Sequence, residues 1–264
     1  MHMLWIALLL GLVEGLTEFL PISSTGHLIV TSALVGFEGK RAEVFEVFIQ
    51  LGAILAVVWE FRAKLTSVVT GLPVRAQSRR FVLILLLAFL PSAIVGLLVH
   101  DYISEHLFST TTVAFALIGG ALLIFLVEAL PLKHGTHDVD GVIWKQALWI
   151  GLAQCAALWP GFSRSAATIL GGLCVGLDRR SATEFSFFLA IPTMFAATFY
   201  DLYKNYQHLE AGDGLWLSIA FVVSFVVGWA SVRWLLRFVS THSFQVFAWY
   251  RLALGGAILA WVYL

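Results

Sequence analysis

The chain has 264 residues, of which 60% are hydrophobic and only 12% are Asp, Glu, Lys or Arg, and its mean hydropathy is +0.90. Soluble domains contain about 45–50% apolar and about 25% charged residues, so a soluble enzyme and a disordered chain are excluded. Basic and acidic residues number 16 each, which leaves no net positive charge to attract nucleic acid. Continuous apolar runs favour helices over barrel strands, which alternate. We therefore predict an all-α polytopic membrane protein that forms a single membrane domain over residues 1–264.

The first predicted element, residues 3–36, is apolar but is interrupted at Pro21 and by the serines after it. Each half is shorter than the roughly 20 residues that a spanning helix needs. Half-length helices of this kind are typical of re-entrant hairpins, which occur at membrane depth where they line a cavity. The alternative is that residues 3–20 span the membrane with two buried carboxylates. No Lys or Arg precedes Glu14, unlike in a signal peptide, so we expect the segment to be part of the mature fold.

Six later segments are long and apolar enough to span the membrane. They are Val44–Trp59, Phe81–Val99, Ser109–Val127, Phe185–Tyr200, Gly214–Val232 and Phe244–Leu264. The first of them contains Glu46 and the last contains Arg251. A second broken segment, residues 148–177, lies between the third and fourth spans and is interrupted at Pro160. The sequence thus predicts six transmembrane helices and two re-entrant helical hairpins.

The two broken segments match one another in sequence. Pro21 and its serines align with Pro160-Gly-Phe-Ser-Arg at an offset of 139, and Glu46 aligns with Glu184 at an offset of 138. A hairpin followed by a spanning helix would therefore occur twice, as repeat 1 at about 1–62 and repeat 2 at about 145–201. Transporter-like folds pair such units in inverted orientation, with the site where they meet.

Charge placement predicts the orientation of this arrangement. Loops 60–80, 131–147, 178–183 and 233–243 would contain 11 of the 16 Lys and Arg residues, and loops 37–43, 100–108 and 201–213 would contain 3. The richer side is expected in the cytoplasm. Both termini would then face outward, the two hairpins would enter from opposite sides, and the repeat would be inverted.

The first hairpin carries ionisable residues that are costly in a membrane and are therefore functional candidates. Glu14 and Glu18 are four residues apart on one helix face, where two carboxylates repel unless a cation or a shared proton lies between them. Carboxylate oxygens suit Mg²⁺ or Ca²⁺. After Pro21 come Ser23, Ser24 and Thr25, and then His27, at a spacing that permits an activated serine nucleophile. The structural alternative is a capping serine, a packing histidine and a carboxylate bound to backbone.

The second hairpin predicts an anion site. A Pro-Gly turn leads into a helix whose first turns contain Ser163, Arg164, Ser165 and Thr168, and the three hydroxyls add donors for phosphate oxygens. Ser23 and Thr25 of the first hairpin are further candidate phosphate ligands. Free N–H groups at a helix N-terminus attract anions, and a guanidinium binds phosphate oxygens in two-pronged fashion. The alternative is an N-cap with a snorkelling arginine. Two further charges stay open: Glu46 could hold the metal or brace a hairpin, and Arg251 could pair with a carboxylate or reach phosphate.

These residues carry a resemblance to a known family. Glu14-Gly-Leu-Thr-Glu18-Phe-Leu-Pro-Ile-Ser-Ser24-Thr-Gly-His27 and Pro160-Gly-Phe-Ser-Arg164-Ser resemble the two signature segments of the undecaprenyl pyrophosphate phosphatases of the bacitracin-resistance type. The resemblance covers essentially the whole chain, with Ala166 as a mild departure where relatives often carry Gly. It implies an enzyme that removes the terminal phosphate of the lipid carrier for reuse in cell-wall synthesis.

The resemblance also implies roles for residues. Glu14, Glu18, Ser24, His27 and Arg164 would be the functional set, a divalent cation would be required, and the site would open to the periplasm of a bacterial inner membrane. Ser24, deprotonated by His27, would attack the terminal phosphorus, or His27 would activate water directly. The partners would be polyprenyl diphosphate and membrane lipid, with a homodimer left open. The alternative function is a lipid-phosphate flippase, because inverted repeats with broken helices are also a transporter plan.

Overall fold

The computed structural model describes residues 2–107, 109–205, 207 and 212–263. These residues form eleven α-helices and two short 3₁₀ turns, with no named strand among them. The helices are α1 (His2–Thr17), α2 (Ser24–Val35), α3 (Lys40–Glu60), α4 (Arg62–Gly71), α5 (Ala76–His106), α6 (Thr110–Ala129), α7 (Trp144–Gln154), α8 (Arg164–Cys174), α9 (Arg179–Asn205), α10 (Gly214–Phe238) and α11 (Gln245–Tyr263). The 3₁₀ turns are Val139–Gly141 and Cys155–Leu158.

Six of the described helices, α3, α5, α6, α9, α10 and α11, are long and apolar enough to cross a membrane. Each corresponds to one of the six predicted spans, so the predicted fold class is confirmed. Helices α3, α5, α9 and α10 extend several residues past the predicted ends, because polar residues can continue a helix beyond the apolar run that marks a span. Leu264, where the last predicted span ends, lies outside the described residues.

Helix α4 differs from the sequence prediction, which treated residues 60–80 as a loop. It exposes most of its residues and buries Val68 and Gly71, and it packs against α5. A ten-residue helix with Arg62 and Lys64 in its first turn is too short and too polar to register as a span. The basic residues that set the predicted orientation therefore lie partly on a helix rather than in a loop.

Two pairs of shorter helices interrupt the spans as predicted. Helices α1 and α2 are separated by residues 18–23, and helices α7 and α8 by residues 155–163, which contain Pro21 and Pro160 respectively. Helix α1 has 16 residues and α2 has 12, which at about 1.5 Å per residue gives about 24 and 18 Å, less than the roughly 30 Å of a hydrocarbon core. The breaks are confirmed, whereas re-entrant insertion and the inverted repeat stay predictions.

Close helix contacts bring these pairs together. Helix α10 packs between α1 and α3, α7 packs on α5, and α8 packs on α9. At the α3–α10 crossing, a Cβ added to Gly52 would lie 2.5 Å from the Phe221 carbonyl oxygen. Glycine is thus needed for the two backbones to approach, as is common between helices in lipid. A phenylalanine cluster that includes Phe19, Phe187 and Phe188 fills the centre beneath the first break.

The α3–α10 crossing yields a stability prediction. Gly52→Ala should lower the free energy of unfolding by about 1–3 kcal/mol, because the new methyl overlaps a carbonyl on the facing helix. Gly256→Ala is the matched control, since a Cβ there meets no atom within 4 Å. Both variants would be measured by thermal unfolding in detergent. Equal unfolding temperatures for the two variants would contradict the close contact.

Candidate active site

The two breaks, residues 18–23 (the first tip) and residues 155–163 (the second tip), meet with the helix starts that follow them at a cavity of about 210 Å³. Six predicted site residues line it: Glu18, Ser23, Ser24, Thr25, Ser163 and Arg164. Helices α3 and α9 complete the wall with Gln50 and Thr193, which were not among the predicted site residues. Helices α2 and α8 both begin at this cavity. Two helix N-termini, which carry partial positive charge and free N–H groups, therefore converge on one space.

One carboxylate joins the two tips. Arg164 Nη2 donates to Glu18 Oε1 at 3.0 Å, and the Ser24 hydroxyl donates to Glu18 Oε2. The Glu18 and Arg164 side chains are only 9% and 12% exposed, so each charge needs the other as a partner. The predicted nucleophile and the predicted phosphate-binding cation thus lie on opposite sides of the same carboxylate.

Arg164 is also held from α9. Its Nη1 donates to the Ser186 carbonyl oxygen at 3.1 Å, and its Nη2 lies 3.6 Å from Met194 Sδ. Its Nε is buried and has no hydrogen-bond partner in the described part of the chain. The guanidinium is therefore fixed in orientation while one of its donors is uncommitted.

Each of the two tips contains a strained backbone turn of the same kind. Ser23 and Ser163 have φ of 72° and 79°, a region that residues other than glycine rarely adopt. Each is the N-cap of the helix that follows: Ser23 Oγ accepts from Gly26 N, and Ser163 Oγ accepts from Ala166 N, both at 3.3 Å. The caps correspond at an offset of 140, one more than the sequence match. Ser24 and Arg164 then occupy equivalent positions, the first residue of each helix.

Two predicted phosphate ligands have protein partners instead. Ser165 donates to the Leu20 carbonyl oxygen at 2.8 Å, which ties one tip to the other. Thr168 donates to the Arg164 carbonyl oxygen at 2.9 Å and lies 2.6 Å from Ser186 Oγ. Both are buried and neither lines the cavity. Their positions in α8 turn them toward the first tip and α9, so phosphate binding by either residue stays a prediction without a supporting contact.

His27 does not contact Ser24. Its Nδ1 lies 2.7 Å from the Ser23 carbonyl oxygen and its Nε2 lies 2.6 Å from the Tyr250 hydroxyl, with the two rings stacked. Nor does His27 line the cavity. Its role as the base of Ser24 therefore stays a prediction without a supporting contact. No motif or spacing in the sequence predicted that Tyr250, 223 residues away, would be the partner of His27.

The two remaining carboxylates have different surroundings. Glu46 Oε1 accepts from the Ser32 hydroxyl at 2.9 Å, so it braces α3 against α2, the second of its predicted roles. Glu14 is fully buried, and neither of its oxygens has a hydrogen-bond partner among the described residues. Such orphaned hard oxygens fit a divalent cation. Among the residues described, no group of three or more His, Cys, Asp or Glu could hold a metal.

The fold and the cavity define a helical polytopic membrane protein in which two broken helix pairs share one cavity lined by an arginine, a carboxylate and several hydroxyls. The family model described as bacitracin resistance protein BacA matches residues 7–257. The chain is 57% identical to an undecaprenyl-diphosphatase of Nitrosospira multiformis over 97% of its own length and 94% of the relative's. It is 54% identical to one of Methylococcus capsulatus, over 96% and 93%. The chain therefore belongs to the BacA family, which confirms the resemblance.

The strained cap of α8 yields a prediction. Ser163→Gly should leave the protein more stable than Ser163→Ala by about 1 kcal/mol, because glycine adopts positive φ freely and is the better N-cap. The same two changes at Ser109, an N-cap with φ of −127°, are the control, and there the gap between Gly and Ala should be smaller. Thermal unfolding in detergent measures all four variants. An alanine variant at 163 as stable as the glycine variant would show that the turn is unstrained.

Proposed function

We propose that this chain hydrolyses undecaprenyl diphosphate to undecaprenyl monophosphate and inorganic phosphate at the cavity between the two tips, which recycles the lipid carrier of cell-wall synthesis. The observation that carries the proposal is the Glu18 carboxylate shared by the Ser24 hydroxyl and the Arg164 guanidinium. A nucleophile and an anion-binding cation then face the same space. The names of relatives that are 52–57% identical support the substrate.

The diphosphate enters from the periplasmic side of a bacterial cytoplasmic membrane. The excess of Lys and Arg in the predicted cytoplasmic segments, 11 against 3, supports this orientation and outward-facing termini. The polyprenyl tail stays in lipid between helices. Apolar side chains of Met194, Ala197 and Ala157 line the cavity beside the polar groups, which suits a ligand with a charged head and an apolar tail. A homodimer stays a prediction.

In the reaction, Ser24 Oγ attacks the terminal phosphorus. The Oγ–P bond forms while the bond from phosphorus to the bridging oxygen breaks, and lipid monophosphate leaves. Arg164 and the N-termini of α2 and α8 stabilise the negative charge on the transferring phosphoryl group. Water then cleaves the Oγ–P bond and releases inorganic phosphate.

Glu18 is the group in position to accept the proton of Ser24, because the Ser24 hydroxyl already donates to it. This assignment replaces His27 of the sequence prediction, whose ring nitrogens lie against Ser23 and Tyr250. In the absence of substrate, the ion pair with Glu18 holds the Arg164 guanidinium in place. When substrate binds, its phosphate competes with Glu18 for this guanidinium.

A divalent cation would be held by Glu14 and Glu18. Two carboxylates together with substrate phosphate oxygens and water are a usual ligand set for Mg²⁺, and the orphaned oxygens of Glu14 support this assignment. When bound, the ion neutralises charge on phosphate oxygens. Glu14 is fully buried and does not line the cavity, so Glu18 would be the ligand on the cavity side and Glu14 the buried ligand.

The function is tested by phosphate release. Purified protein in detergent, with Mg²⁺ or Ca²⁺ and farnesyl diphosphate, should release inorganic phosphate catalytically, because hydrolysis needs no sealed bilayer whereas flipping does. Arg164→Ala protein purified in the same way is the control for contaminating phosphatase, because it lacks the cation that lines the cavity. Absence of release from folded protein under both metals would contradict the proposal and favour the lipid-phosphate flippase.

The covalent step is tested with farnesyl diphosphate labelled in its terminal phosphate. Acid-quenched wild type should carry label on Ser24. Ser24→Ala should carry none, and Glu18→Gln should acquire label about 10²–10⁴-fold more slowly, the usual contribution of a general base. Ser218→Ala is the matched control, since Ser218 is exposed and its hydroxyl donates to the Gly214 carbonyl oxygen in its own helix. Activity retained in Ser24→Ala without a labelled intermediate would establish direct attack by water.

A further inference from the structure

Arg251 is a fully buried cation that the proposed reaction does not use. Its guanidinium donates to four backbone carbonyl oxygens and contacts no carboxylate among the residues that the structure describes. The acceptors are Leu117 (Nε, 3.1 Å), Pro21 (Nη1, 3.1 Å), Ala116 (Nη2, 3.1 Å) and Gly161 (Nη2, 3.2 Å). Within the described residues these carbonyls take the place of the carboxylate partner that the sequence left open, and contact with phosphate stays untested.

Two of these carbonyls belong to the two tips. Pro21 lies two residues before Ser23, and Gly161 lies two residues before Ser163, so the guanidinium binds the same position of each strained turn. The other two carbonyls, of Ala116 and Leu117, anchor the guanidinium to α6. A single planar group with five donors in fixed geometry therefore sets the relative position of both turns.

The Arg251 guanidinium is closely surrounded by α6 and by the second tip. A Cβ added to Gly120 on α6 would lie 2.7 Å from Arg251 Cζ and would overlap Nη2. On the other side, Arg251 Cζ lies 6.0 Å from the centre of the Phe162 ring, next to Gly161 in the second tip. The neighbouring Gly119 differs, because a Cβ there meets no atom within 4 Å.

We propose that Arg251 is a positioning residue of the phosphatase reaction: by binding Pro21 and Gly161 together, it fixes the separation of Ser24 and Arg164 across the cavity. This inference rests on the proposed function. Arg251 reaches only backbone carbonyls of the tips, so it acts through Ser24 and Arg164 and does not touch substrate. Loss of its contacts would let the tips shift relative to one another, and a displacement of about 1 Å can cost about 100-fold in rate.

The test displaces Arg251 without removing it. Gly120→Ala should lower kcat for farnesyl diphosphate by about 100-fold, with KM little changed because the phosphate-binding groups remain. Gly119→Ala is the matched control and should retain wild-type kcat. Both changes place alanine in the interior of α6, so they share any effect on helix propensity.

Two further measurements separate positioning from a general loss of structure. Arg251→Lys, whose three donors sit on one nitrogen and cannot reach four carbonyls, should also lower kcat more than it raises KM. Hydrogen–deuterium exchange of Gly120→Ala should rise in residues 18–23 and 155–163 and stay unchanged in the other helices. The exchange measurement requires no turnover, so failure of the proposed function, seen as an inactive wild type, is distinguishable from failure of this inference.

Wild-type kcat in a folded Gly120→Ala or Arg251→Lys protein would overturn the proposal. So would exchange that rises equally throughout the described helices, because Arg251 would then serve only overall stability. If Gly120→Ala does not fold, Arg251→Lys carries the kinetic test with the same expected split between kcat and KM.

Discussion

The ion pair between Glu18 and Arg164 is the interaction on which the site depends. A charge at membrane depth is stable only when it is paired or hydrogen-bonded, and each of these two is nearly buried. One lies at the first break and the other at the second, 146 residues apart in sequence. Because neither could be buried alone without a large cost, the pair requires the two tips to meet. Both residues line the cavity in which we propose that the diphosphate binds.

The two tips use the same backbone device to present different chemistry. Each turn places a serine at positive φ as an N-cap and starts a helix at the next residue, which is Ser24 in one tip and Arg164 in the other. The partial positive charges of both helix N-termini then face one cavity. Local strain at Ser23 and Ser163 is maintained by contacts made elsewhere, among them the carbonyl contacts of Arg251.

Much of this architecture can be predicted from sequence, because lipid imposes strict lengths on helices. The six spans and the breaks at Pro21 and Pro160 follow from apolar runs and from proline. The charges of Glu18 and Arg164 predict that the two breaks face one space, and both residues line the same cavity. Helix α4 was missed because a short polar helix leaves no span signal. The partners of His27, Ser165 and Arg251 could not be predicted, since Tyr250, Leu20 and Gly161 offer a common hydroxyl or backbone carbonyls that any sequence contains.

The most direct measurement is an experimental structure of the protein with a non-hydrolysable prenyl diphosphate, in which a methylene group replaces the bridging oxygen. In this structure, terminal phosphate oxygens should lie within about 3 Å of Arg164, and phosphorus should lie within about 3.5 Å of Ser24 Oγ. The Glu18–Arg164 pair should be opened by the ligand. A diphosphate bound by one tip alone, with Ser24 and Arg164 out of reach of a common phosphate, would contradict the proposal that the two tips form one active site.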